Sequence, residues 1–258
     1  MRFGRTSAWL LAIVGVLVFG CSGDGEGSAE ESSDSVSTTT QDNSDAEQTA
    51  ADREADEAIA ESALLTLDDF PPGWEAAPAN DDEPDSDVLA DVADCLGVSE
   101  AELDPDNPKA TSPTFTSSDD EEVTSEVTLT PSSGDASRAL EILKSDAAPG
   151  CYAEAIKALV GRNLVASDDV PENVTVGEPT FNRMSFESLG DDSVAFRTTI
   201  PVTVESLDVD LYVDFVFVRV GRAGIETTFQ SQFAPFDTDE AARLTGVVVD
   251  RVSSTGAT

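Results

Sequence analysis

From Val194 to Phe233 apolar and polar residues alternate with a period of two through three consecutive runs, which commits this stretch to antiparallel strands. Val194, Phe196, Ile200, Val202 and Val204 alternate with Ala195, Arg197, Thr199 and Thr203, and Pro201 marks an edge or a bulge. Val209 to Val220 forms the longest run, alternating first with Asp208, Asp210 and Asp214. Its centre, Phe215 to Val218, is apolar on both faces, so the sheet must be covered on both sides. After a turn at Gly221 to Gly224, Ile225, Phe229 and Phe233 alternate with Glu226, Thr228, Gln230 and Gln232 in the returning strand.

Helices and further strands surround this block. Asp237 as N-cap with Glu240 at N3 opens a last helix striped by Ala241, Leu244, Val248 and Val252. Earlier, Val88 to Leu96 is amphipathic and carries Cys95, and Ser99 to Leu103 adds a helical turn. Strands follow at Phe115 and at Val123, Val127 and Leu129, the latter read as half-buried because Thr124, Glu126, Thr128 and Thr130 intervene. Asp135 to Ala147 and Cys151 to Gly161 form two helices separated by Pro149 and Gly150, and Phe181 to Phe186 is a short strand. The expectation is one α+β domain, residues 64–252, an antiparallel sheet with helices packed on it, followed by a disordered tail at 253–258.

The N-terminal quarter has a different character. Arg2 and Arg5 precede an apolar run from Ala8 to Phe19, too short to span a bilayer and followed at once by polar residues, as in a secretory signal over residues 1–20. Its end, Val18-Phe19-Gly20-Cys21, resembles the lipobox of bacterial lipoproteins, which implies lipid on Cys21 and a location on the extracytoplasmic face of the cell membrane. Ser22 to Ala63 holds thirteen acidic residues against Arg53 alone, with Val36 and Ile59 as its large aliphatics. Residues 21–63 therefore read as a disordered acidic tether that spans about 35 to 40 Å, with at most a transient helix at Ala50 to Ala63.

Charge and composition remove whole classes of function. Against 52 acidic residues stand 14 basic ones, a net charge of −38, so no basic stripe exists to displace phosphate counterions and nucleic acid is excluded as a partner. Histidine is absent, which eliminates Ser-His-Asp triads, Cys-His nucleophiles and histidine-bearing zinc sites. Nucleophile-elbow, S-x-x-K and P-loop patterns are also missing. No catalytic residue, metal ligand or cofactor is assigned, and the acidic runs Asp81 to Asp87 and Asp119 to Glu122 lack calcium-loop spacing and read as solvated loops. With Cys21 lipidated, Cys95 and Cys151 remain as a pair in an exported, oxidising setting, where they are expected to form a disulfide.

The stretch Leu64-Leu65-Thr66-Leu67-Asp68-Asp69-Phe70-Pro71-Pro72-Gly73-Trp74, the order of elements and the two spaced cysteines resemble actinobacterial surface lipoproteins of uncertain function. More distantly, they resemble the extracellular sensor domain of actinobacterial Ser/Thr kinases and the PsbP/Mog1-type α/β sandwich. The resemblance spans Leu64 to Val252 and implies a small-ligand groove beside the sheet, but it carries over no site residue. That sensor domain typically has two disulfides where this chain can form one. Three readings compete: a membrane-anchored, non-catalytic, sensor-like domain for an unknown small ligand or envelope protein; an envelope lipid carrier; and a carboxylate-based hydrolase. A deep dry pocket would favour the carrier and a shallow polar groove the sensor. Two buried carboxylates face to face would revive the enzyme.

Overall fold

In the computed structural model, the described residues are 39–78, 86–166, 174–204 and 207–256. The expected signal, Cys21 and the run Asp81 to Asp85 lie outside them. Helix α1 (Thr39–Ala63) leads through a 3-10 turn at Leu67–Asp69 into β1 (Glu75–Ala77). Then come α2 (Ser86–Leu96), α3 (Glu100–Leu103), β2 (Lys109–Thr111), β3 (Thr114–Thr116), β4 (Glu122–Leu129), α4 (Ser133–Leu143) and α5 (Ala148–Ala166). The second half holds β5 (Val174–Val176), β6 (Thr180–Arg183), β7 (Asp192–Val204), β8 (Leu207–Val220), β9 (Ala223–Gln232) and α6 (Thr238–Ser254). This is the expected α+β fold: all strands join one antiparallel sheet in the order β1-β3-β4-β9-β8-β7-β5, with β2 beside β4 and β6 beside β7.

The β8–β9 hairpin turns at Gly221, whose φ of 58° suits a residue without Cβ, and it pairs Val220 with Ala223. That register propagates across the sheet. Val127, Ile225 and Val218 fall on one face, and Glu126, Glu226, Phe217 and Val194 form a row on the other. The first face packs under α6, whose Ala241, Leu244, Val248 and Val252 are buried as the stripe requires. Asp237 caps α6 by accepting from the Glu240 amide at 2.9 Å. Thr245 donates to the Ala241 carbonyl at 2.8 Å, so in its buried 2.7 Å contact with Thr227 it is the acceptor, and this bond pins helix to sheet. On the opposite face Leu140 and Ile156 of α4 and α5 meet Phe196, Ile200 and Phe215. The two-sided cover expected for Phe215 to Val218 is thus present.

Several details depart from expectation. Pro201 lies inside β7, which is paired on both sides, but it faces the interruption between β5 and β6, where Gly177 donates its amide to the Pro201 carbonyl at 2.7 Å. The amide hydrogen that proline lacks is therefore not missed by a continuous ladder. A Cβ on Gly177 would come within 3.0 Å of the Pro201 ring. Pro149 and Gly150 begin α5 instead of preceding it, since proline is tolerated in a first helical turn. Phe233 is not in β9: it turns out with φ of 68° and is 70% exposed. At the C-terminus, Ser253 and Ser254 complete α6, so the tail begins two residues later than expected.

The larger correction concerns residues 51–63, expected as tether. They belong to α1, and Ala60 and Ala63 are fully buried in the core. Asp56 forms a two-toothed ion pair with Arg222 of the β8–β9 turn, 2.9 Å from Nη1 to Oδ2, and Arg53 reaches Asp106 at 2.9 Å. Alanine on one helical face permits close approach to the sheet, which a count of large aliphatics does not register. The Leu64-to-Trp74 stretch continues this docking. Arg251 binds both Asp69 oxygens, at 2.7 and 2.9 Å, and the Leu64 carbonyl at 2.6 Å. Phe70 bridges Trp74 and Phe115, each with centroids 4.6 Å away. Deleting residues 51–63 is expected to cost ~3 kcal/mol or more, lowering the melting temperature by on the order of 10 °C. A thermal melt unchanged by the deletion would restore the tether boundary at Ala63.

Candidate functional site

The sheet face that meets α4 and α5 is apolar on one half and polar on the other. Three rows of cross-strand partners make the division: Glu122, Gln230, Val213 and Thr198; Thr124, Thr228, Phe215 and Phe196; Glu126, Glu226, Phe217 and Val194. On β7 and β8 these positions are mostly apolar, whereas β4 and β9 carry only Glu, Gln and Thr. Alternation alone assigned the polar half to solvent. The structure instead buries Thr124, Glu126, Thr228 and Gln230 to 8% exposure or less, so β4 is covered on both faces and not half-buried.

A cleft of about 160 Å³ opens where the two halves meet. Its polar wall is Glu126 and Thr128 of β4 with Glu226 of β9, and its apolar wall is Leu140 and Leu143 of α4, Tyr152 of α5 and Phe217 of β8. Asp104 and Pro105, just after α3, form the rim. Next to Leu143, Tyr152 and Phe217 lies an apolar void of about 30 Å³ against Val88 and Val92 of α2. Cys95 of α2 is bonded to Cys151 of α5, Cα atoms 5.7 Å apart, as expected from the sequence. The bond fixes the backbone next to Tyr152 and joins the two helices that enclose the void.

Electrostatically the cleft is unbalanced. Glu102 pairs with Arg138, Asp104 with Lys109 at 3.4 Å, and Arg219 with Asp191 at 3.1 Å. Glu126 and Glu226 have no ion-pair partner among the described residues. Glu126 accepts from the Thr111 hydroxyl at 3.1 Å, and Glu226 from the Thr228 hydroxyl at 3.3 Å. Burial pushes Glu126 up to about 7, with Lys109 pulling the other way. Burial, reinforced by the Glu126 charge, pushes Glu226 up to about 8. Burial and then Glu226 also raise the Tyr152 phenol, which stays protonated. The Nε of Arg219 is buried without a hydrogen-bond partner. Among the described residues there is no group of three or more metal-ligating side chains, and no helix long and apolar enough to cross a membrane.

Sequence reasoning found the disulfide and missed the carboxylates. Their one available signal was that Glu126 and Glu226 sit at matching places in two alternating runs, so pairing those runs in register sets them opposite each other.

No family model matches the chain, and no curated relative matches it. Among solved structures, the chain is similar to the extracellular domain of PknH from Mycobacterium tuberculosis, at 10% identity and a TM-score of 0.41, over 77% of this chain and 96% of that one. It is also similar to a putative uncharacterized protein, an Rv0999 ortholog, from Mycobacterium smegmatis, at 13% identity and a TM-score of 0.37, over 75% of this chain and 96% of that one.

Raised carboxylate pKa values carry a sign. Between the unfolded value near 4.5 and about 8 the folded state binds more protons than the unfolded one, so this pair contributes a loss of stability as pH rises through that window. The double variant Glu126→Gln/Glu226→Gln should melt higher than the parent at pH 8 and close to it at pH 5, in paired thermal melts. Removing the disulfide with Cys95→Ala/Cys151→Ala should cost about 2 to 4 kcal/mol in denaturant melts at fixed pH.

Proposed function

We propose that the chain is an exported lipoprotein, anchored through lipid on Cys21, whose domain binds a small ligand in the cleft between α4, α5 and the β4–β9 wall. The observation that carries this reading is the amphipathic cleft itself, in which the Glu126–Glu226 pair stands without an ion-pair partner among the described residues, beside Phe217 in the same sheet row and near Tyr152 and Leu143 of the covering helices. A soluble domain has little reason to desolvate two unpaired carboxyl groups beside an apolar wall unless something occupies the space between. The signal-like start and the lipobox resemblance supply the location.

The carrier reading fits less well. Pockets for drug-sized ligands begin at roughly 300 Å³, and a cleft of about 160 Å³ with a 30 Å³ void next to it does not enclose an acyl chain. A hydrolase draws support from the facing carboxyl groups. Glycoside hydrolysis, however, needs its acid and its base or nucleophile to flank the scissile bond, whereas Glu126 and Glu226 rise from neighbouring strands of a single wall. That placement suits holding a ligand more than cleaving one, and the domain is read as non-catalytic.

Native mass spectrometry of the protein from its own host is the test. The parent should carry additional small-molecule mass, and Ala139→Trp, which fills the cleft from α4, should lose it. Cys21→Ala should in parallel move the protein from washed membranes into the soluble fraction. A parent without added mass, or a Trp variant that keeps it, removes the cleft as the ligand site; a substituted protein that still pellets removes the anchor.

A further inference from the structure

Resting on the binding reading above, we infer that the ligand is an organic cation, an ammonium group held between Glu126 and Glu226 with an apolar body of about benzene size against Tyr152, Phe217, Leu140 and Leu143. Charge complementarity is the first argument. The other charged groups that line the cleft have ion-pair partners: Glu102 with Arg138, Asp104 with Lys109, and Arg219 with Asp191 through Nη1, its Nε remaining a donor without a partner. The two glutamates are the charges left without one, and they share a row on the sheet. An ammonium donates to both carboxylates at once, whereas a carboxylate or phosphate ligand would add a third negative charge at close range.

Size and surroundings give the second argument. A cavity of about 150 Å³ holds one benzene ring, so the 160 Å³ available here takes a ring or short alkyl body with its charged head at the glutamates. Tyr152 and Phe217 face this space with aromatic surface, to which a cation and its adjoining methylenes are also drawn. The net charge of −38 enriches cations around the whole chain and repels anions.

Proton linkage follows from the burial of the pair. Burial, and for Glu226 the neighbouring Glu126 charge, lets Glu126 and Glu226 hold protons up to about 7 and about 8, so a cation must displace them and its affinity falls as the pH is lowered. The other ionisable groups at the site are Glu102 on α3, Asp104 on the rim, Lys109 on β2, Arg219 on β8 and Tyr152 on α5. Asp104 raises Glu126 slightly, Lys109 lowers both glutamates, and neither reverses the direction.

The test is calorimetric titration of the exported chain carrying Cys21→Ala with three isosteres: benzylammonium, benzyl alcohol and benzoate. Benzylammonium is expected to bind at pH 8 about tenfold or more tighter than benzyl alcohol, to weaken by about tenfold or more at pH 5.5, and to lose its advantage in Glu126→Gln/Glu226→Gln. Circular dichroism of the double variant, expected to match the parent, is the check that the fold survives. Benzyl alcohol or benzoate binding as tightly as benzylammonium overturns the cation assignment while leaving the cleft a ligand site. Heat from none of the three overturns it too, and the mass carried by the parent and by Ala139→Trp then decides on the cleft independently. Calcium binding that disappears in the double variant overturns it in favour of a metal site.

Discussion

The register of the β8–β9 hairpin governs the rest of the molecule. With Val220 opposite Ala223, each later pair is fixed, and a slip of one residue would exchange the two faces of β9. In the observed register Ile225, Thr227 and Phe229 meet α6, while Glu226, Thr228 and Gln230 turn toward the opposite face. Pairing β4 on the free side of β9 repeats the choice, so Val123 and Val127 join the α6 core and Glu126 comes to face Glu226. One turn geometry thereby creates both the principal core and the unpaired carboxylates.

Helix α1 stabilises that arrangement from the edge. Arg222, in the β8–β9 turn, is held by Asp56 and donates to the Thr130 carbonyl at 3.1 Å, so the turn is tied at once to α1 and to the end of β4. These ties cross from the N-terminal helix to the hairpin that sets the register. Arg251 makes a similar connection from α6 to Asp69, whose carboxyl burial pushes up but hydrogen bonds from Arg251 and Thr66 hold below its usual value. A half-buried two-toothed arginine pair carries geometric specificity beyond its modest net energy. The acidic N-terminal stretch is thus part of the fold wherever its carboxylates meet the few arginines of the chain.

Legibility in the sequence followed the size and spacing of apolar groups. Strands β7 to β9, the capped helix α6 and the Cys95–Cys151 bond were readable because Val, Ile, Leu and Phe recur at fixed periods and the cysteines form a pair. The docking of α1 was not, because it rests on Ala60 and Ala63, too small to stand out, and on an ion pair between residues 166 positions apart. The cleft was not, because period-two alternation separates the two faces of a strand without saying what lies over each. Glu126 and Glu226 look like solvent-facing residues in one dimension. They are enclosed only once α4, α5 and the segment after α3 pack beside them.

Enclosure also explains why the cleft lies over β9 and not elsewhere on that face. Over β7 and β8, Phe181 of β6 stacks between Tyr152 and Phe196, with centroids 5.2 and 4.8 Å away, and leaves only the void of about 30 Å³. Tyr152 therefore terminates the aromatic stack, presenting one side to Phe181 and its remaining surface to the cleft. The disulfide at the preceding residue holds that end of α5 to α2, so the tyrosine is positioned by a covalent bond on one side and by ring packing on the other. A carboxylate pair on paired central strands, with an aromatic side chain fixed in this way beside it, is held in place by the fold itself. A ligand then need not bear the cost of ordering the site, and its selection falls to charge and to the volume left between the two walls.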